Sequence, residues 1–195
     1  MARRRVGILI SGRGSNMAAL IEAAQPPDYP AEIVLVISNE PEAAGLAFAR
    51  SHGVPVAIIN HRAFANRDAF GNALDQALHA AGVEIVCLAG FMRMLATSFV
   101  ERWKGRMINI HPSLLPAFKG LGTHARVLAE GAKTHGCTVH FVVPELDAGP
   151  PILQAEVAVL EGDDEQSLAA RVLAEEHRIY PEALRLVAEG RAKFD

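Results

Sequence analysis

The chain has 195 residues, half of them hydrophobic, enough to bury one substantial core. With 22 acidic against 19 basic residues its formal net charge is −3, so it lacks the basic footprint of a protein whose main partner is nucleic acid. Cys87 and Cys137 are its two cysteines, too few for a disulfide framework in a chain this long, and both are expected as reduced, buried thiols.

Arg3, Arg4 and Arg5 precede an apolar run that ends at Ile10 and is followed at once by Ser11-Gly12. The run is too short for the h-region of a signal peptide, and no segment reaches the roughly 18 apolar residues of a membrane span. The expectation is a cytoplasmic protein with no membrane partner.

Val6 to Ile10 is rich in β-branched residues and reads as a buried parallel strand. A helix is expected from about Asn16 to Ala24, stopped by Pro26-Pro27. Strands follow at Glu32–Ser38, Pro55–Asn60, Glu84–Ala89 and Met107–Ile110. Between them lie helices at Ala43–Ser51, Arg67–Ala80 (with Phe70, Leu74 and Leu78 at helical spacing) and Ser98–Trp103. This alternation predicts an α/β fold with a doubly wound, mostly parallel sheet. After His111 the rhythm changes. A Pro- and Gly-rich loop leads to a helix near Thr123–Glu130. Two strands, Thr138–Val143 and Ile152–Val159, follow with no full helix between them, which implies an antiparallel C-terminal addition. The last helix is expected from Glu165 to Glu189, broken at Pro181. No repeat or linker interrupts the chain, and residues 1–195 read as a single domain.

In such sheets ligands bind beyond the carboxyl ends of the strands, and the polar motifs fall there. Gly12-Arg13-Gly14-Ser15-Asn16 joins the first strand to the first helix. Glycines let the backbone approach a ligand. Ser15 or Asn16 can cap the helix, whose N-terminal N–H groups suit an anion. The third glycine of a dinucleotide fingerprint would fall at Met17, and no P-loop lysine follows. Phosphate binding and a plain tight turn both remain open on this motif.

Asn109 and His111 stand two apart at a strand end, so period two places them on one face, and Pro112 keeps His111 extended. A carboxamide N–H₂ can donate to a developing oxyanion, and an imidazole can move a proton or stabilise negative charge. Asp147, in the turn Glu145-Leu146-Asp147-Ala148-Gly149-Pro150, is the candidate to orient the imidazole. With no serine or cysteine nucleophile placed beside them, direct transfer is favoured over a covalent enzyme intermediate. The bland alternative is ordinary hydrogen-bonded structure at a strand end. His135, Cys137 and His140 lack a recognised zinc spacing, so no metal is expected. By pattern alone Met92-Arg93-Met94-Leu95 reads as core, and Glu175 and Glu176 as a solvated helix face.

Five segments taken together resemble the folate-dependent phosphoribosylglycinamide formyltransferase family: residues 10–16 (Ile-Ser-Gly-Arg-Gly-Ser-Asn), 88–93 (Leu-Ala-Gly-Phe-Met-Arg), 109–116 (Asn-Ile-His-Pro-Ser-Leu-Leu-Pro), 145–150 (Glu-Leu-Asp-Ala-Gly-Pro) and 176–181 (Glu-His-Arg-Ile-Tyr-Pro). The resemblance covers essentially the whole chain and implies a formyltransferase, Rossmann-like fold. It implies formyl transfer from 10-formyltetrahydrofolate, as cosubstrate, to the amine of glycinamide ribonucleotide in purine synthesis, by a monomer or homodimer. It further implies Asn109, His111 and Asp147 as catalytic residues. Gly14, Ser15, Asn16 and Glu176 would bind the ribonucleotide. Arg67, Met92, Arg93, Met94, Leu95, Asn109, Pro144, Glu145, Leu146, Asp147, Ala148 and Gly149 would line the folate pocket. The chain departs from the family at Gly122, where many relatives carry histidine, so Gly122 is given no role and His124 a weak substrate one. Arg13 stands where Asn is common. Rival readings are a formyltetrahydrofolate hydrolase, a transfer-RNA formyltransferase and a non-catalytic nucleotide-binding module. The first two are disfavoured because the first strand starts by Val6 and the chain ends at Asp195 with no room for a further domain.

Overall fold

The computed structural model describes residues 2–194; Met1 and Asp195, the ends of the predicted domain, lie outside the described residues. The elements run β1 (Arg4–Ile10), α1 (Ser15–Ala23), β2 (Ala31–Ser38), α2 (Gly45–Ser51), β3 (Val56–Ile58), a 3-10 turn (His61–Ala63), α3 (Arg67–Ala80), β4 (Ile85–Leu88), α4 (Thr97–Arg102), β5 (Met107–His111), α5 (Thr123–Ala129), β6 (Thr134–Phe141), β7 (Pro151–Ala158) and α6 (Glu165–Ala188). The strands form one sheet in the order β3-β2-β1-β4-β5-β6-β7. The first five are parallel, and β6 and β7 add antiparallel at one edge. The doubly wound sheet with its antiparallel addition is therefore as expected.

Period-two alternation divides the core into two layers. Val6, Ile8 and Ile10 of β1, Cys87 of β4 and Ile108 and Ile110 of β5 pack with α1, α2, α5 and α6 on one face. Leu9, Ile37, Val86 and Met107 pack with α3 and α4 on the other. Each such side chain, fully buried, contributes roughly 1.5–3 kcal/mol. Asn109 and His111 share the parity of Met107, so their polar groups point away from the first layer. Cys87 and Cys137 are both free and buried, as predicted, and burial pushes each thiol up to about 12.

Three departures from the sequence reading have a cause in the packing, beyond shifts of one or two residues at other element ends. β6 begins at Thr134 instead of Thr138, because Thr134, His135 and Gly136 pair with Ala158, Val157 and Glu156 of β7 although none carries an apolar signal. The third strand shrinks to three residues at the sheet edge, where pairing with β2 is one-sided. Pro181 does not break α6, which runs unbroken for 24 residues. Buried Ile179, Tyr180, Ala183 and Leu184 hold the helix against the sheet on both sides of the proline, and the Tyr29 hydroxyl donates to the Pro181 carbonyl at 2.6 Å. Tertiary packing outweighs the local cost of the missing N–H.

Among the described residues no helix is long and apolar enough to cross a membrane.

Candidate active site

The strand order reverses direction between β1 and β4, and a cavity of about 250 Å³ opens at their carboxyl ends. Ser11 to Asn16, Ala89, Gly90 and Met92 line it. Ser11 closes its base: its N–H donates to Gly90 O at 3.2 Å, and its hydroxyl donates to Asn39 Oδ1 at 2.5 Å and accepts from Met92 N–H at 2.8 Å.

The helix cap differs from the expectation. Neither Ser15 nor Asn16 caps α1; Gly14 does, in the left-handed region at φ +73°, with no side-chain hydrogen bond. A Cβ at Gly14 would also lie 3.1 Å from Gly45 Cα, since the loop packs directly on α2. The first-turn N–H groups of a helix have no intrahelical acceptor. With no side chain over them here, they remain free for an anion. Asn16 instead turns inward, and its Nδ2–H donates to Glu176 Oε2 at 2.7 Å. Its Oδ1 is buried without a partner. Glu176 is only 7% exposed, so it is not on a solvated face as its pattern suggests. Burial raises its pKa, opposed by the Asn16 hydrogen bond. Glu175 does turn outward, to Arg178 at 2.7 Å.

At the neighbouring strand ends the sheet brings together Asn109, His111 and Asp147. His111 Nδ1 lies 3.4 Å from Asp147 Oδ2, with both side chains under a tenth exposed. On its other side His111 Nε2 donates to Phe118 O at 3.0 Å. Both neighbours are acceptors. Asp147 sits at φ +47°, a left-handed conformation that Asp tolerates better than most residues. The Gly120 N–H donates to its Oδ2 at 2.9 Å and holds the carboxylate in place. Gly149 lets the loop pass over the sheet edge: a Cβ there would meet Phe141 O at 1.7 Å.

One residue of this cluster, His140, is weighed in the sequence only as a metal ligand. His140 is paired opposite Asn109 in the β5–β6 register. Its Nε2 lies 3.2 Å from Asn109 Nδ2 and 3.8 Å from Asp147 Oδ1. Only the antiparallel register reveals it; a strand-pairing argument from Asn109 would have been the available signal. The three residues weighed as metal ligands point to different surroundings. His135 hydrogen-bonds His124 Nδ1 at 3.0 Å, Cys137 is in the apolar core, and His140 faces Asn109. Among the described residues no three His, Cys, Asp or Glu side chains converge to hold a metal ion.

Most of the other predicted pocket residues are exposed. Arg67 is exposed at the start of α3, whose Phe70 stacks on Phe91 with ring centroids 6.4 Å apart, at the head of the segment 92–95. That segment is not core: Met92 is 65% and Met94 51% exposed, and Arg93 is exposed too, while Leu95 is half-buried. Pro144, Glu145 and Leu146 are exposed on the Asp147 loop, and Ala148 is half-buried. Gly122 caps α5 in the left-handed region at φ +66°. His124 is occupied by His135.

Comparison with known proteins agrees with this architecture. The formyl transferase family matches residues 4–184. The phosphoribosylglycinamide formyltransferase of Escherichia coli (strain K12) is 44% identical over 96% of this chain and 88% of its own length. The trifunctional purine biosynthetic protein adenosine-3 of Bos taurus is 50% identical over 98% of this chain, but the chain spans only 19% of that relative. The crystal structure of glycinamide ribonucleotide transformylase 1 from Symbiobacterium toebii superposes with a TM-score of 0.94 at 49% identity, covering 97% of this chain and 89% of that one. A match through nearly every element of the sheet, at this identity, leaves one conclusion: the chain belongs to the formyl transferase family.

Proposed function

We propose that the protein transfers a formyl group from 10-formyltetrahydrofolate to the amine of glycinamide ribonucleotide. The observation that carries this reading is the His111–Asp147 pair beside Asn109 on β5, separated only by β4 from the strand that leads into a helix N-terminus with no side-chain cap. An anion cradle and an oxyanion site stand side by side, as a phosphorylated nucleophile and an acyl donor require.

The ribonucleotide phosphate would rest on the N–H groups after Gly14, with Glu176 accepting from the ribose hydroxyls. Its amine attacks the formyl carbon. A C–N bond forms and the carbonyl π electrons move to oxygen, where the free Asn109 N–H donates to the oxyanion, joined by protonated His111 once its Nε2–H turns from Phe118 O to the developing charge. Asp147 orients His111 through Nδ1. Protonated His111 gives its Nε2 proton to folate N10 as the bond from N10 to the formyl carbon breaks, and the neutral ring then takes the proton that the attacking nitrogen loses. Arg67, the segment from Met92 to Leu95, and Pro144 to Gly149 would line the folate side; the exposed thioethers of Met92 and Met94 suit a flat aromatic ligand. No step needs a metal.

One assay tests it. The protein is mixed with 10-formyltetrahydrofolate, and tetrahydrofolate release is followed with and without glycinamide ribonucleotide. Release only with the ribonucleotide is expected. Release without it would instead make the protein a hydrolase, and no release in either case a nucleotide-binding module.

A further inference from the structure

The Asn109 carboxamide can be placed with either its nitrogen or its oxygen towards the reacting centre, and something must decide which. His140 is paired with Asn109 across β5 and β6. Its Nδ1 lies 2.8 Å from Phe141 O. A carbonyl only accepts, so Nδ1 carries the proton. Burial, the larger influence, lowers the pKa of His140, although the Phe141 carbonyl and Asp147 oppose the shift. The ring is therefore neutral near pH 7, and its Nε2 presents a lone pair. Asp147 Oδ1, at 3.8 Å, is too far to demand a proton there. Asn109 Nδ2, at 3.2 Å, is the group that can donate to it.

We propose that His140 is a positioning residue: held as the Nδ1–H tautomer by Phe141 O, it accepts one Asn109 Nδ2–H and so leaves the second N–H of that nitrogen as the free oxyanion donor. The flipped carboxamide would set Oδ1 against the Nε2 lone pair and is disfavoured by that repulsion. Gly149 belongs to the same device, since a side chain there would collide with the Phe141 carbonyl that fixes the tautomer. The proposal rests on Asn109 acting as the donor in formyl transfer.

Two measurements test it. Nitrogen-15 NMR of the unmutated protein near pH 7 should show His140 with a protonated Nδ1 and a pyridine-like Nε2; the reverse tautomer overturns the proposal without any variant. A double-mutant cycle on kcat gives the second. His140→Leu should lower kcat about tenfold with both KM values nearly unchanged, and His140→Gln, whose Oε1 can accept the same hydrogen, should recover most of it. In an Asn109→Ala background His140→Leu should change kcat by less than about twofold, because the group it aims is gone. The same tenfold loss in both backgrounds overturns the positioning role alone. Full turnover by Asn109→Ala by itself overturns both this role and the proposed use of Asn109.

Discussion

Asn16, on the first turn of α1, donates its Nδ2–H to Glu176 Oε2 on α6 at 2.7 Å, joining residues 160 positions apart in the chain. Both side chains are buried, and the bond ties the anion cradle to the C-terminal helix. It also makes stability depend on pH. Burial raises the Glu176 pKa in the folded state above its ordinary value of 4.5. An acid raised on folding favours the folded state while protonated. That contribution is complete below about pH 4.5 and is lost as pH rises through the folded pKa. Glu176→Gln removes the ionisation while keeping the shape. The urea midpoint of the wild type should fall relative to Glu176→Gln as pH rises from about 4.5. Parallel midpoints across that range would contradict the buried, raised carboxyl.

Asn109→Ala should lower kcat by about 10²–10³ with the fold intact, the usual cost of one lost oxyanion donor. Steady-state tetrahydrofolate release, with far-UV circular dichroism as the folding control, reads this directly. Near-normal turnover would remove Asn109 from the chemistry.

Gly14→Ala addresses the cradle. At φ +73° a Cβ is strained by about 1–2 kcal/mol, and here it would also press on Gly45 at 3.1 Å. The loop must shift, and the N–H groups shift with it. The KM for glycinamide ribonucleotide should rise about tenfold while kcat changes much less. A KM unchanged within twofold would mean that the phosphate binds elsewhere.

Gly149→Ala places a Cβ 1.7 Å from Phe141 O, a clash no rotamer can relieve. The backbone must move, and Asp147 is two residues away. Overpacking of this kind costs about 1–3 kcal/mol. A lower urea midpoint together with a fall in kcat is the expected result, and unaltered kinetics would show that the Asp147 position tolerates such movement.

His135 is buried against His124, and burial first, then the charges of His124 and His111, lowers its pKa from 6.5 to about 4. A base depressed on folding contributes stability above its unfolded pKa and loses it as pH falls. Stability should therefore drop between about pH 6.5 and pH 4. In His135→Gln the same slope should be shallower when chemical unfolding is repeated across that interval. An equal slope would assign the loss to other groups.

Much of the fold was legible because its signals are local. Runs such as residues 32–38, Glu-Ile-Val-Leu-Val-Ile-Ser, can only be satisfied as strands buried on both faces, and the helices between them force parallel crossovers. The carboxyl-end rule then points to Gly14, Asn109 and His111 from strand positions alone. Pro181 and the start of β6 differ from their local signals for the opposite reason. A proline's local cost and the weak strand character of Thr134 to Gly136 are each overridden by partners distant in the chain.

By itself, then, the sequence determined the layered architecture, the ends of the strands that carry polar groups, and the residue types available there. Hydrophobic period and backbone stereochemistry act within a few residues, so they can be read along the chain. Tertiary structure alone decided which groups meet. The antiparallel register set His140 opposite Asn109, and the left-handed turn at Asp147 aimed its carboxylate at His111. Packing of α6 on α1 turned Glu176, a residue with the pattern of a solvated face, into the buried partner of Asn16. Hydrogen bonding and desolvation depend on distances of a few ångströms between segments far apart in sequence, and those distances exist only once the sheet has closed.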